Sequence, residues 1–323
     1  MEEYILSERL RLIREEVARR PLSINLNLLM FSYMTLLKLY DELLEDATNF
    51  LMNVVTPCEV AEDFKAVAYI AKGDIPNAQL ETKYALSIDP EDPYAHLFRG
   101  IIEMVKGVDP KDDLEKALIF FDNNKRDEVQ AICGFQAEKE KIALFRGEDF
   151  KNAEIIKSLE KVLEKERSNA PLKTNLAEAV LKLGNLEKAK EIINSVIQEY
   201  PFYPRALSIL TKIYDNENKI EASHEIMRKI LQINPLSPYL TEAGRVLDEK
   251  ETIELNNLKQ FFESNNPFLD FFKSTFTVLS PKPQQMEQQT TQEKSHTDKA
   301  FEYLECGKYE EALREFLEAL KEE

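Results

Sequence analysis

Two consecutive stretches of 34 residues decide the fold. Residues 170–203 read APLKTNLAEAVLKLGNLEKAKEIINSVIQEYPFY, and residues 204–237 read PRALSILTKIYDNENKIEASHEIMRKILQINPLS. Aligned without a gap, they place Pro201 of the first copy opposite Pro235 of the second. Because proline lacks the backbone donor that a helix interior requires, each copy ends a helix at the same point. A unit that recurs at a fixed spacing predicts a repeat architecture.

Each copy has the pattern of two amphipathic helices joined by a turn. On the second helix of the first copy, Ala189, Ile193 and Val196 recur with a helical period and form one apolar face. Gly184 and Asn218 occupy the same place between the two helices of their copies. Both residue types accept the left-handed backbone that ends a helix. The stretch therefore predicts two helical hairpins in register.

The unit resembles the tetratricopeptide repeat, a helix–turn–helix of 34 residues. Gly184, Ala189 and Pro201 stand where that family has a glycine, a small residue and its closing proline. Residues 59–92 and 298–323 match in the same way. Their matching residues are Gly73, Ala78, Ala85 and Pro90 in the former, and Ala300, Tyr303, Gly307, Ala312 and Ala319 in the latter. The resemblance implies an all-α fold, a right-handed α-solenoid of stacked helix pairs.

Four segments follow from this pattern. Residues 1–58 form N-terminal helices that start the solenoid or pack against it, and residues 59–279 form the repeat array with capping helices at its end. Residues 280–297 hold two prolines and five glutamines with few apolar residues, which predicts a flexible linker. Residues 298–323 form an isolated helix pair that docks elsewhere, on its own solenoid, on a second chain or on a partner.

Three segments within these limits deviate from the repeat. Residues 125–146 are interpreted as one helix, longer than the family norm. Residues 238–248 and 251–264 form one more helix pair, without the residues diagnostic of a repeat. Residues 265–279 are rich in phenylalanine and form a possible seat for the terminal helix pair. The repeat pattern thus weakens toward the end of the array.

Composition narrows the function classes. The chain has 323 residues, only 8 glycines and a formal net charge of −17. The low glycine content favours helix, and the negative charge argues against a nucleic-acid partner or an anionic membrane surface. The uncharged stretch 21–37 is short for a membrane span and contains polar residues, so we expect a buried helix there. Three distant cysteines and no signal peptide favour reduced thiols and a cytoplasmic location.

No pattern of catalytic or ligand-binding residues is present. The sequence has no phosphate-binding glycine loop, no nucleophile elbow and no zinc-binding HExxH motif. His96, His224 and His296 stand in separate units, where a lone histidine is usually an ordinary residue of a helix. We therefore expect no enzyme activity, no metal site and no cofactor.

The resemblance also implies where a partner binds. In the family, the first helix of each repeat lines a concave groove that binds peptides or helices. Carried over, the groove residues are Val67, Ile70, Tyr94, Leu97, Ile101, Met104, Arg205 and Lys212. Most of them are apolar, and exposed apolar patches usually mark contacts. The alternative is that the N-terminal helices fold back and fill the patch.

Two functions remain open from the sequence. The first is a non-catalytic scaffold or adaptor that holds a partner peptide or helix of another protein in the groove. The second is a structural protein that self-assembles as a homo-oligomer through residues 298–323.

Overall fold

The computed structural model describes residues 2–146, 152–240 and 242–280. These residues form α-helices and contain no β-strand, which confirms the all-α prediction. The predicted linker and the predicted terminal helix pair lie outside the described residues. The helices are α1 Glu2–Arg19, α2 Ile24–Leu36, α3 Tyr40–Asn53, α4 Glu59–Ala71, α5 Ile75–Ile88, α6 Pro93–Val105, α7 Lys111–Phe120, α8 Asn123–Cys133, α9 Lys139–Arg146, α10 Asn152–Leu163, α11 Ala170–Lys182, α12 Leu186–Glu199, α13 Pro204–Asn216, α14 Ile220–Ile233, α15 Glu249–Ser264 and α16 Pro267–Leu279.

The turns of the helical hairpins follow the sequence pattern. Gly73, Gly107 and Gly184 have φ angles of 76°, 71° and 84° between α4 and α5, α6 and α7, and α11 and α12. Asn218 takes the same role between α13 and α14 with a φ of 58°. This left-handed conformation costs glycine little and asparagine less than most residues, which explains why those two types recur there.

Helix starts are fixed by local chemistry as well. Asp92 is the N-cap of α6, and its side chain accepts a hydrogen bond from the Tyr94 N–H at 2.9 Å. Asn169 does the same for α11, where it accepts from Leu172 N–H at 3.1 Å. Both helices also carry proline in their first turn, where no donor is needed. Each repeat thus begins at a defined residue.

Three segments differ from the sequence expectations. Residues 125–146 are not one helix, because Gly134 turns left-handed with a φ of 77° and separates α8 from α9. Residues 238–248 do not form a helix of the predicted pair; they contain only the 3-10 helix Ala243–Arg245, and α15 stands alone. The phenylalanine-rich stretch is the helix α16.

The small residues of the repeats let neighbouring helices approach closely. Ala177, Ala189 and Ile193 are fully buried in a cluster that joins α10 to α13. At Gly100 on α6, an added methyl group would lie 2.6 Å from the Leu114 Cδ2 atom on α7. A glycine at this position is therefore required for the packing of the two helices.

The end of the array packs against its beginning. Ile88 at the end of α5 belongs to the same buried cluster as Leu207 on α13 and Ile230 on α14. Hydrogen bonds close the same junction, from Thr56 to Gln232 at 2.7 Å and from Asn234 to Glu59 at 3.1 Å. Apart from the segments outside the description, residues 1–277 form one compact unit. Among the described helices, none has the length and apolarity to cross a membrane.

Candidate functional site

The predicted groove residues are buried in most cases. Val67, Leu97 and Ile101 have no exposed surface, and Ile70 retains 8 %. Tyr94 and Met104 are half-buried. The expectation that this patch faces solvent is therefore not met, and its role in partner binding stays a prediction.

The helix α16 covers part of the patch. The ring centroid of Phe268 lies 5.0 Å from that of Tyr94, 5.6 Å from that of Phe98 and 4.5 Å from that of Phe64. The N-terminal helices contribute too, since Phe31 of α2 lies 5.9 Å from Phe64. Aromatic pairs at these separations stabilise by roughly 0.5–1.5 kcal/mol beyond their buried area. Segments from both ends of the array therefore pack on the same inner helices.

Polar contacts hold α15 and α16 in this position. Glu254 on α15 accepts a hydrogen bond from Ser23 at 2.8 Å and forms an ion pair with Arg20. The amide of Asn266, between α15 and α16, donates to the Tyr94 hydroxyl at 2.7 Å. These bonds explain the entry of α16 into the concave side, because they fix both the preceding helix and the connection.

The two predicted basic residues differ in their surroundings. Lys212 is open to solvent with 52 % of its side chain exposed, and its ammonium lies 3.9 Å from Glu178. Arg205 is buried at 2 %, with ion pairs to Glu91 at 2.8 Å and to Glu178 at 3.1 Å. The Arg205 guanidinium also donates to the Phe145 carbonyl at 3.0 Å. Arg205 therefore joins α13 to three other parts of the array.

A cavity of about 360 Å³ lies where the two ends of the array meet. Carboxylates dominate its polar lining. Its acidic members are Glu59, Asp63, Asp89, Glu91, Asp92, Asp122 and Glu263, and its aromatic members are Tyr94, Phe120, Phe121, Tyr239, Phe262 and Phe268. Lys125, Arg146 and Lys259 are the basic residues of the lining. We call this space the acidic cavity.

Three carboxylates of the acidic cavity keep an oxygen without a hydrogen-bond donor from the described residues. These atoms are Glu59 Oε2, Asp63 Oδ1 and Asp92 Oδ2. Their residues are exposed by only 2 %, 1 % and 1 %. Since a buried charged oxygen without a donor is costly, the arrangement is destabilising as long as nothing pairs with it.

The pKa values of these groups reflect the burial. Desolvation raises the pKa of Asp92 to about 6, although the backbone donors of Tyr94 and Ala95 oppose the shift. Burial also raises the pKa of Glu59 and of Asp63 well above the ordinary range, with the neighbouring carboxylates adding to it. Near neutral pH the cavity therefore retains protons that the same groups would lose in water.

Other reactive side chains have structural surroundings. His96 is buried against Asp113 at 2.9 Å, and burial lowers its pKa. Cys58 is a buried free thiol whose pKa is raised to about 12 by burial, and Cys133 is also a free thiol. Cys306 lies outside the described residues. Within the described ranges, no group of three His, Cys, Asp or Glu side chains has a metal-binding arrangement.

Sequence reasoning did not identify the acidic cavity. The chain has 59 acidic residues, so acidic pairs are common by chance. The one available signal was the segment 89–92, which reads Asp-Pro-Glu-Asp between two apolar helices. A loop of this kind is normally solvated, and only its contact with the end of the array buries it.

The comparisons with known proteins support the repeat assignment. Residues 144–213 match the family model described as tetratricopeptide repeat. No curated protein matches the chain. A solved tetratricopeptide repeat protein from Parabacteroides merdae is 16 % identical, with 80 % of this chain and 96 % of that chain covered at a TM-score of 0.31. A monomeric mutant of IFIT1 with Gppp-AAAA is 15 % identical, with 92 % and 68 % covered at a TM-score of 0.28.

With its helical hairpins, its turn residues and this family match, the chain is a tetratricopeptide-repeat protein. Proteins of this class are in general non-catalytic scaffolds for protein interaction. At TM-scores this low, the molecule bound to IFIT1 says nothing about the ligands of this chain.

Proposed function

We propose that this protein is a non-catalytic scaffold whose concave surface holds an amphipathic helix of a partner protein. One observation carries the proposal, namely that the inner helices already seat an aromatic helix. Phe268 of α16 packs among Phe64, Tyr94 and Phe98 at ring separations of 4.5 to 5.6 Å. A surface that binds one helix through such anchors has the shape and apolarity for a helix from another chain.

The internal helix sets the terms on which a partner binds. Only Asn265 and Asn266 separate α16 from α15, so α16 is presented to the groove at an effective concentration on the order of millimolar. A partner helix must displace it or bind beside it. The exposed Lys212 and the half-exposed Glu178 lie on the polar part of the same surface and are available to such a partner.

A labelled peptide with the sequence of residues 267–279 tests the proposal by fluorescence anisotropy on the full chain. The substitution Phe268→Ala weakens the internal helix, so this variant is expected to bind the peptide at least tenfold more tightly than the unchanged chain. The control peptide carries serine in place of Phe268 and Phe272 and is expected not to bind. Circular dichroism establishes that the variant remains helical. No binding to either protein would overturn the proposal.

A further inference from the structure

Three unpaired acceptors of the acidic cavity call for a donor. More than about nine-tenths of buried polar groups in native proteins have a hydrogen-bond partner, and ionised groups without one are especially costly. Glu59 Oε2, Asp63 Oδ1 and Asp92 Oδ2 are exceptions that line the same cavity. A primary ammonium group presents three N–H donors, and a guanidinium group presents five. Either group matches a set of three acceptors.

The protein pairs a neighbouring carboxylate in this way with its own side chain. Glu91 accepts from the Arg205 guanidinium at 2.8 Å and from the Tyr239 hydroxyl at 3.1 Å. The same guanidinium lies over the Tyr239 ring, 5.6 Å from its centroid. A cation held between a carboxylate and an aromatic face is thus already part of the cavity wall. No ion pair joins a described lysine or arginine to Glu59, Asp63 or Asp92 within 4.0 Å.

The aromatic walls favour an organic cation. Tyr94, Phe121, Phe262 and Phe268 line the cavity together with the acidic groups. Ring faces attract cations by roughly 0.5–2 kcal/mol, and more strongly where water is excluded. The cavity volume of about 360 Å³ is at the lower end of the range for small-molecule sites, which begins at about 300 Å³.

We propose that the acidic cavity binds an organic ammonium or guanidinium cation through Glu59, Asp63 and Asp92, with the aromatic walls around its alkyl part. The exposed carboxylates Asp122 and Glu263 lie at the solvent side and attract the cation toward the opening. Lys125, which is paired with Asp122 at 3.1 Å, Arg146 and Lys259 moderate this attraction. The inference does not depend on helix binding in the groove, because small amines test it directly.

Binding of the cation is coupled to protons. Since burial raises the pKa of Glu59, Asp63 and Asp92, a bound cation stabilises their ionised forms and displaces protons. The affinity therefore rises as the pH increases through the value of about 6 for Asp92. The charged and titratable groups that face these three are Asp89, Glu91, Tyr94, Asp122, Lys125, Arg146, Arg205, Tyr239, Lys259 and Glu263.

Isothermal titration calorimetry of the full chain with n-butylammonium and n-butylguanidinium tests the proposal, with n-butanol as the neutral analogue. We expect both cations to bind and n-butanol not to bind. Repeating the titration in two buffers of different ionisation enthalpy measures the proton release. This readout uses the unchanged protein, so it does not depend on any variant folding.

Three substitutions locate the site. Glu59→Gln, Asp63→Asn and Asp92→Asn are each expected to weaken binding about tenfold or more, because each removes a charged acceptor. Asparagine is as good an N-cap as aspartate, so the start of α6 is preserved in the third variant. Glu191→Gln, on the exposed face of α12, is the matched control and is expected to change nothing.

The source of the cation follows from a second ligand, the capped peptide Gly-Lys-Gly. Tighter binding of the peptide than of n-butylammonium assigns the cavity to a lysine side chain of a partner, and equal binding assigns it to free amines. The proposal is overturned if neither amine binds, if n-butanol binds as well as they do, or if calcium chloride gives the only binding. It is also overturned if the control variant loses as much affinity as the cavity variants.

Discussion

Arg205 offers the sharpest test of how the array is closed. Its guanidinium lies on α13, and it bonds Glu91 between α5 and α6, Glu178 on α11 and the carbonyl of Phe145 on α9. Removing one partner of a buried ion pair leaves the other charge uncompensated, which costs about 3–5 kcal/mol. We therefore expect Arg205→Met to lower the free energy of unfolding by about that amount, although methionine fills much of the same volume.

The effect is measured by urea and thermal unfolding followed by circular dichroism. A loss of this size lowers Tm by roughly 6–20 °C, at about 2–4 °C per kcal/mol for a unit of some 200 residues. The lower part of that interval applies here because the compact unit is larger. A double variant with Glu91→Gln removes the stranded charge as well, so it is expected to recover at least about 1 kcal/mol.

Arg245 is the matched control. It also bonds two carboxylates, Asp215 at 2.8 Å and Glu242 at 2.7 Å, but its side chain is 30 % exposed. Ion pairs at the surface contribute about 0–1 kcal/mol, so Arg245→Met is expected to change stability by less than about 1 kcal/mol. If Arg205→Met costs no more than Arg245→Met, burial of the ion pair does not decide its contribution and the reasoning fails.

Three further predictions concern packing and titration. Gly100→Ala places a methyl group 2.6 Å from Leu114 and is expected to cost about 1–3 kcal/mol in a thermal melt, whereas Gly244→Ala meets no atom within 4 Å and is expected to cost nothing. Phe268→Ala is expected to cost about 3–5 kcal/mol and Phe276→Ala clearly less, since only Phe268 is fully buried; equal losses would contradict the placement of α16. The raised pKa of Asp63 and Asp92 means that the folded state holds their protons after the unfolded state has lost them. Stability without a ligand is therefore expected to fall as the pH rises from about 4 through about 6, and urea midpoints of the double variant Asp63→Asn/Asp92→Asn should show less of this fall.

The sequence was sufficient for the hairpins because their determinants are local. The left-handed turns at Gly73, Gly184 and Asn218 are read from residue type and spacing, and the structure confirms them. Where the spacing departs from the repeat, the same local rule was available and was not applied. Gly134 ends α8 by its left-handed backbone, yet the periodicity of the flanking residues indicated one continuous helix.

The burial of the groove residues was beyond the sequence, because it depends on contacts between distant segments. Tyr94 is covered by Phe268, which follows it by more than 170 residues and belongs to no repeat. Repeat positions predict which face of a helix is concave, but they carry no information on what packs against that face. The alternative in which terminal helices fill the patch was open from the sequence, although it named only the N-terminal helices.

The acidic cavity and the closure of the array have the same physical origin. Glu59, Asp89 and Asp92 lie at the starts and ends of early repeat helices, where solvent normally stabilises charge. Contact with residues 234–240 and with α15 and α16 removes that solvent and raises the pKa values of these groups. Arg205 offsets this cost for Glu91 alone. The array therefore closes with several carboxylates still short of a counter-charge, and an added cation would stabilise the closed form by the free energy of its own binding.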